Sequence, residues 1–157
     1  MTASRVAPPP TDHAARFVIV TGLAGAGKSA AIHALEDLGY LCVDNLPTVL
    51  IPTLADLTLG EGGTHESVAV VVDARDPSFL DRFPTVFDGL RARRDLAVWL
   101  IFLEASDEAL VRRFSETRRP QPLAPTASVI EGILAERGRL GPIKKMSDRV
   151  LDTSDLT

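Results

Sequence analysis

Phe17-Val-Ile-Val-Thr-Gly-Leu-Ala-Gly-Ala-Gly-Lys-Ser29 is the stretch that decides the fold. Gly22 to Ser29 matches the pattern G-x-x-x-x-G-K-[ST], a Walker A phosphate loop, in full. The apolar β-branched run Phe17 to Val20 leads into it, and a helix-like segment, Ala30 to Leu38, leads out. Strand, glycine-rich loop, helix is the context the motif requires. Four fixed positions arise by chance on the order of once per hundred chains of this size. Gly22, Gly25 and Gly27 let the backbone bend with its N–H groups facing inward, a nest for phosphate oxygens. The helix that follows adds unpaired N–H groups and the positive end of its dipole. The candidate nucleotide contacts are therefore Gly22, Leu23, Ala24, Gly25, Ala26, Gly27, Lys28 and Ser29. Lys28 suits the β- and γ-phosphates, and the Ser29 hydroxyl suits Mg²⁺, so the expected ligand is a magnesium-bound triphosphate.

A rival pattern overlaps the same loop. Gly25-Ala-Gly27-Lys-Ser-Ala30 satisfies the looser dinucleotide fingerprint, with Asp44 near the distance of a ribose-binding carboxylate. Against it, the loop already begins at Gly22, directly after the strand. A dinucleotide site also has no use for a Lys-Ser pair at the helix start.

Composition supports one compact domain. The 157 residues are 45% hydrophobic and 24% charged, enough to bury a sizeable core. A net charge of −4 provides no bulk electrostatic footprint for nucleic acid. The single cysteine, Cys42, excludes an intramolecular disulfide and suits a reducing cytoplasm; it reads as a small buried hydrophobe. No apolar run reaches membrane-spanning length, so no membrane partner is expected. Residues 1–15, with Pro8-Pro9-Pro10, read as a flexible leader, and 16–157 as the nucleotide-binding domain. The three histidines show no metal-ligand spacing.

Beyond the loop, strands alternate with helices. Strands are expected at Tyr40 to Val43, Val68 to Val72, Trp99 to Leu103 and Arg149 to Asp152. Helices are expected at Thr48 to Leu59, Ser78 to Arg93, Ser106 to Arg118 and Ser128 to Leu140. Pro52 kinks or delays the first of these, and Pro84 interrupts the second. Ser128-Val-Ile-Glu131 fits a capping box. Gly39 ends the helix after the loop, and Gly138 and Gly141 loosen the last one. Continuous apolar strands separated by helices imply an α/β three-layer fold of the phosphate-loop NTPase type. Its five-stranded sheet is mainly parallel, nucleotide-kinase-like, with helices on both faces. Ligands in such sheets lie at the carboxyl ends of the strands, the rim where Asp44-Asn45, Asp73 to Asp76, Glu104 and Asp152-Thr153 fall.

Asp73, after the run Val68 to Val72, has the Walker B pattern and is a candidate Mg²⁺ ligand and catalytic carboxylate. Arg75 suits phosphate or an acid partner. Asp44 either orients a water or an acceptor hydroxyl, or caps the turn to Pro47. Arg112-Arg113 and Arg118-Arg119 cluster before the proline-rich Pro120 to Pro125. Mobile arginines there would close over transferring phosphates, with Arg118 and Arg119 the catalytic candidates. Arg91, Arg93 and Arg94 read as a solvated basic face. Thr153-Ser154 is the suggested base-facing edge.

The phosphate loop, Ala34-Leu-Glu-Asp-Leu-Gly-Tyr40, Cys42-Val-Asp-Asn-Leu-Pro47, Asp73-Ala-Arg-Asp76, Arg118-Arg119 and Leu151-Asp-Thr-Ser-Asp-Leu156 resemble the RapZ/YvcJ family of bacterial nucleotide-binding proteins. The resemblance covers essentially everything after the leader. It implies binding of ATP and GTP with Mg²⁺, and slow hydrolysis of both. It makes Gly22 to Ser29 the ATP loop and Asp73, Ala74, Arg75 and Asp76 the second, GTP-assigned motif. Some members are adapters that deliver small RNA to a ribonuclease. The part associated with RNA binding and oligomer assembly lies beyond Leu156 in family members nearly twice as long. Small RNA, ribonuclease and oligomer contacts are therefore expected only through that absent C-terminal part. A small-molecule kinase is the alternative, since sheet, phosphate loop and arginine lid are shared with that group.

Overall fold

The computed structural model describes residues 15–59, 65–72, 78–117 and 129–155. Strands β1 (Ala15–Gly22), β2 (Leu41–Val43), β3 (Ser67–Val71), β4 (Leu96–Glu104) and β5 (Arg149–Asp152) form one sheet in the order β2-β3-β1-β4-β5. All pairings are parallel. The helices are α1 (Lys28–Asp37), α2 (Ile51–Thr58), α3 (Phe79–Arg91), α4 (Asp107–Thr117) and α5 (Val129–Met146). This is the three-layer α/β phosphate-loop architecture. The chain runs from β1 leftward past β3 to β2, then returns rightward across β1 to β4. Right-handed crossovers therefore put α1 on one face and α2 and α3 on the other. The reversal happens at β1, so the loop after it opens at the topological switch point.

Central strands are apolar on both faces because both are covered. Phe17, Ile19, Val68, Ala69, Val70 and Leu100 are fully buried. On α3, Phe79, Phe83 and Phe87 recur every four residues: the first two rings are tilted at a centroid distance of 5.0 Å, and the last two stack at 5.7 Å. That buried stripe carries α3 straight through Pro84, where an interruption is expected from sequence. Likewise α5 runs to Met146, past the expected end at Leu140 and through Gly141 and Pro142. Ile133, Leu140 and Ile143 are buried along it, and packing outweighs local propensity. Pro52 acts as a late start. A 3₁₀ turn at Thr48–Leu50 precedes α2, and the proline sits in its first turn.

The arginines at and just beyond the end of α3 are not a simple solvated face. Arg91 pairs with Asp148 and lies 4.7 Å over the Phe87 ring. Arg93 bridges Asp56 at 2.6 Å and Asp95 at 2.8 Å. The Cys42 thiol is half-buried, 3.6 Å from the Ile32 carbonyl, and burial followed by the Glu36 charge pushes its pKa up. Among the described residues no helix is long and apolar enough to cross a membrane.

Candidate functional site

β1 ends at Gly22 because its backbone runs against Leu103 of β4. A Cβ at residue 22 would stand 2.4 Å from the Leu103 carbonyl oxygen, and its φ is +148°. Only glycine fits that approach. The chain then turns through Gly25 (φ +84°) and Gly27 (φ +106°) into α1. Left-handed glycines placed this way aim successive N–H groups into one concavity.

The loop's peptide groups divide into two sets. Leu23 N–H donates to Leu103 O at 3.2 Å, and Ala26 N–H to Leu23 O at 3.0 Å. Ala24 N–H donates to the Glu136 carboxylate at 2.9 Å. The N–H groups of Gly25, Gly27 and Ser29 have no acceptor among the described residues. Gly27 is the N-cap of α1 and Ser29 lies in its first turn, where amides are intrinsically unpaired, and Gly25 precedes them in the loop. Outward-facing carbonyls are gripped from elsewhere. Arg113 of α4 donates to Gly25 O at 3.0 Å, to Thr153 Oγ1 at 3.1 Å and to the Thr153 carbonyl. Thr153 Oγ1 donates to Ala26 O at 2.7 Å. Lys28 Nζ curls back to Gly22 O at 3.0 Å and Leu23 O at 3.2 Å.

Beside the loop, Glu104 at the end of β4 is a buried carboxylate serving as a structural hub. It accepts from Arg137 and from Lys144 at 3.0 Å, and from its neighbour's N–H, Ala105, at 2.9 Å. Arg137 also reaches Ala105 O at 2.9 Å and Asp107 at 2.7 Å. Burial works against the Arg137 charge, but hydrogen bonds to Glu104 and Asp107 outweigh it and raise its pKa. Ser106 caps α4 by accepting from Ala109 N–H at 3.1 Å. At the end of β5, Asp152 is exposed and accepts from both Ser154 O–H and N–H. Those bonds hold its carboxyl below the usual range.

The residues from Gly22 to Ser29 thus come together as one cradle. Asp44 does not join it. It is exposed beyond β2, an edge strand separated from β1 by β3. No hydrogen bond ties it to the loop among the described residues. Asp73, Ala74, Arg75, Asp76, Arg118 and Arg119 lie outside the described residues. Val72, just before Asp73, is placed beside β1 through its N–H to Val20 O at 3.0 Å. Sequence reasoning missed Glu136 and the Arg113 grip on the loop. Nothing local marks Glu136, which reaches Ala24 across 112 residues. Arg113 stands out in sequence only as part of an arginine cluster.

Residues 15–157 match the family described as RapZ-like N-terminal domain. A nucleotide-binding protein of Myxococcus xanthus is 49% identical over 146 residues, covering 93% of this chain and 50% of its own. One from Clostridium kluyveri is 48% identical over 143 residues, covering 90% and 48%. The chain spans about half the length of the curated relatives it matches. Among solved structures, shikimate kinase from Acinetobacter baumannii in complex with shikimate superposes with a TM-score of 0.62 at 14% identity, covering 90% and 86%. Shikimate kinase from Bacteroides thetaiotaomicron gives 0.58 at 17%, covering 88% and 86%. At such identities the likeness is one of fold.

Proposed function

The chain belongs to the RapZ-like N-terminal domain family, and from that premise we propose that it binds ATP and GTP as magnesium complexes and hydrolyses them slowly. One observation carries the reading: the amides of Gly25, Gly27 and Ser29 have no acceptor among the described residues, while those of Leu23, Ala24 and Ala26 in the same loop are tied down. Phosphate oxygens are the acceptors that such a nest at a helix N-terminus recruits. Lys28 exchanges its carbonyl partners for the β- and γ-phosphates, so its charge arrives only when the ligand does. The relatives' name, nucleotide-binding protein, supports the same reading.

Magnesium fits the donor set. Ser29 presents an exposed hydroxyl at the start of α1, and Asp73 is the proposed carboxylate partner. Among the described residues no group of three His, Cys, Asp or Glu could cage a metal, so phosphates and water would supply the other ligands. When bound, the ion would neutralise phosphate charge. Arg118 and Arg119 are assigned to stabilising charge on the transferred group. Residues 73–76 are assigned to the second nucleotide motif.

The deciding experiment measures binding and phosphate release with Mg·ATP and Mg·GTP, without added acceptor, beside Lys28→Ala. Slow release that disappears in the variant is expected; an unchanged rate in Lys28→Ala would sink the reading. Turnover that requires an added hydroxyl compound would instead identify a kinase. We further propose that residues 16–157 form the nucleotide-sensing half of a longer regulatory protein of the RNA-adapter type, acting in the cytoplasm. Equal RNA affinity of the longer protein with and without nucleotide would count against that role.

A further inference from the structure

We propose that Glu136 is a positioning residue for phosphate binding, an inference that rests on the nucleotide reading above. The residue is almost fully buried, 5% exposed, and its carboxylate accepts the Ala24 N–H at 2.9 Å. On the other side of the same short turn, Arg113 grips Gly25 O at 3.0 Å. An anion therefore holds the peptide before Ala24, and a cation holds the peptide after Gly25. The peptide between them, Ala24–Gly25, is fixed by its two neighbours, and its N–H is one of those left for the ligand. Opposite charges at opposite ends of a two-residue span set the direction of that N–H dipole before any phosphate arrives. A preformed dipole needs no reorganisation on binding, which is where affinity for a charged group is gained.

Glu136 is informative because it is a carboxylate. It repels phosphate, so any support it lends to phosphate binding must pass through the loop backbone. Its own helix is anchored independently. The adjacent Arg137 is bonded to Glu104 and Asp107, and Lys144 also reaches Glu104. These contacts fix α5 against β4 and α4. Consecutive residues on one helix thus serve different ends: Arg137 holds the helix, and Glu136 holds the loop.

The test is the affinity of the folded protein for Mg·ATP and Mg·ADP in Glu136→Ala and Glu136→Gln, with circular dichroism confirming the fold. Gln keeps an acceptor oxygen without the charge, and Ala keeps neither. Glu136→Ala is expected to weaken both nucleotides about tenfold, the size of one lost charge-assisted hydrogen bond, and Glu136→Gln to recover most of it. Should Glu136→Ala fail to fold, Glu136→Asp, one methylene short of the loop, takes its place with the same expected weakening. Wild-type affinity in the Ala or Asp variant overturns the proposal. So does an equal loss in Gln, or tighter binding in both, which would make the carboxylate a repulsive gate. Failure of the wild-type protein to bind nucleotide refutes the underlying reading instead, and the two failures are told apart by the wild-type titration alone.

Discussion

At the scale of single residues, backbone geometry separates glycines that the fold cannot replace from those it can. Gly22 combines φ +148° with the Leu103 backbone where a side chain would go, at 2.4 Å from O and 2.8 Å from N. Gly39 has φ +93° but nothing within 4 Å. The latter closes α1 as a Schellman motif, with Gly39 N–H to Glu36 O at 2.9 Å and Tyr40 N–H to Leu35 O at 3.0 Å. Gly39→Ala should therefore cost about 1 kcal/mol, the left-handed penalty alone. Gly22→Ala should cost at least about 3 kcal/mol, since strand β4 itself must shift. Urea denaturation of the two variants checks the order; equal costs would mean that the Leu103 approach relaxes freely.

Among the elements, α5 shows how tertiary contacts overrule local preference. It contains Gly138, Gly141 and Pro142, yet it continues to Met146 with Ile133, Leu140 and Ile143 in the core. Its charged anchor is Glu104, whose side chain is 11% exposed against 31% for Arg137 and 43% for Lys144. Glu104→Gln keeps the shape and removes the one acid that the two cations share among the described residues. We expect a loss of about 1–2 kcal/mol, below the full cost of a stranded buried charge because both cations can turn toward water. A denaturant midpoint indistinguishable from wild type would show that the hub is energetically neutral.

At the scale of the whole molecule, surface ion pairs set how stability responds to acid. Arg93 donates hydrogen bonds to Asp95, and these, opposed by partial burial and helped by the Arg93 charge, hold the Asp95 carboxyl below its usual range. A carboxyl lowered in the folded state stabilises the protein above its unfolded pKa of about 3.9, and that contribution is lost as pH falls through the lower, folded value. Asp95 is 44% exposed, so solvent screening limits the effect to under about 1 kcal/mol. Arg93→Ala should be slightly less stable than wild type at pH 7, and the difference should shrink as pH drops from 5 toward 3. A difference independent of pH would assign the Arg93 effect to packing.

Periodicity and one motif sufficed for the fold class. Five apolar strands separated by helices admit few arrangements other than a covered parallel sheet, and G-x-x-x-x-G-K-[ST] after the first strand fixes which kind. Strand β5 and the Gly39 stop were legible because each is a local signal. Errors fell where packing decides. Pro84 and Pro142 sit inside helices because buried phenylalanines on α3 and buried aliphatic residues on α5 outweigh a missing N–H. The turn of the loop was legible because its glycines recur at fixed spacing along the chain. What braces the loop was not. Glu136, Arg113 and Thr153 lie 112, 88 and 127 residues from the loop atoms they bond. Such partners are chosen by the order in which the strands are laid side by side, and that order is a property of the folded sheet. The sequence by itself determined a phosphate-loop α/β domain; only the tertiary structure decided which distant charges hold that loop in shape.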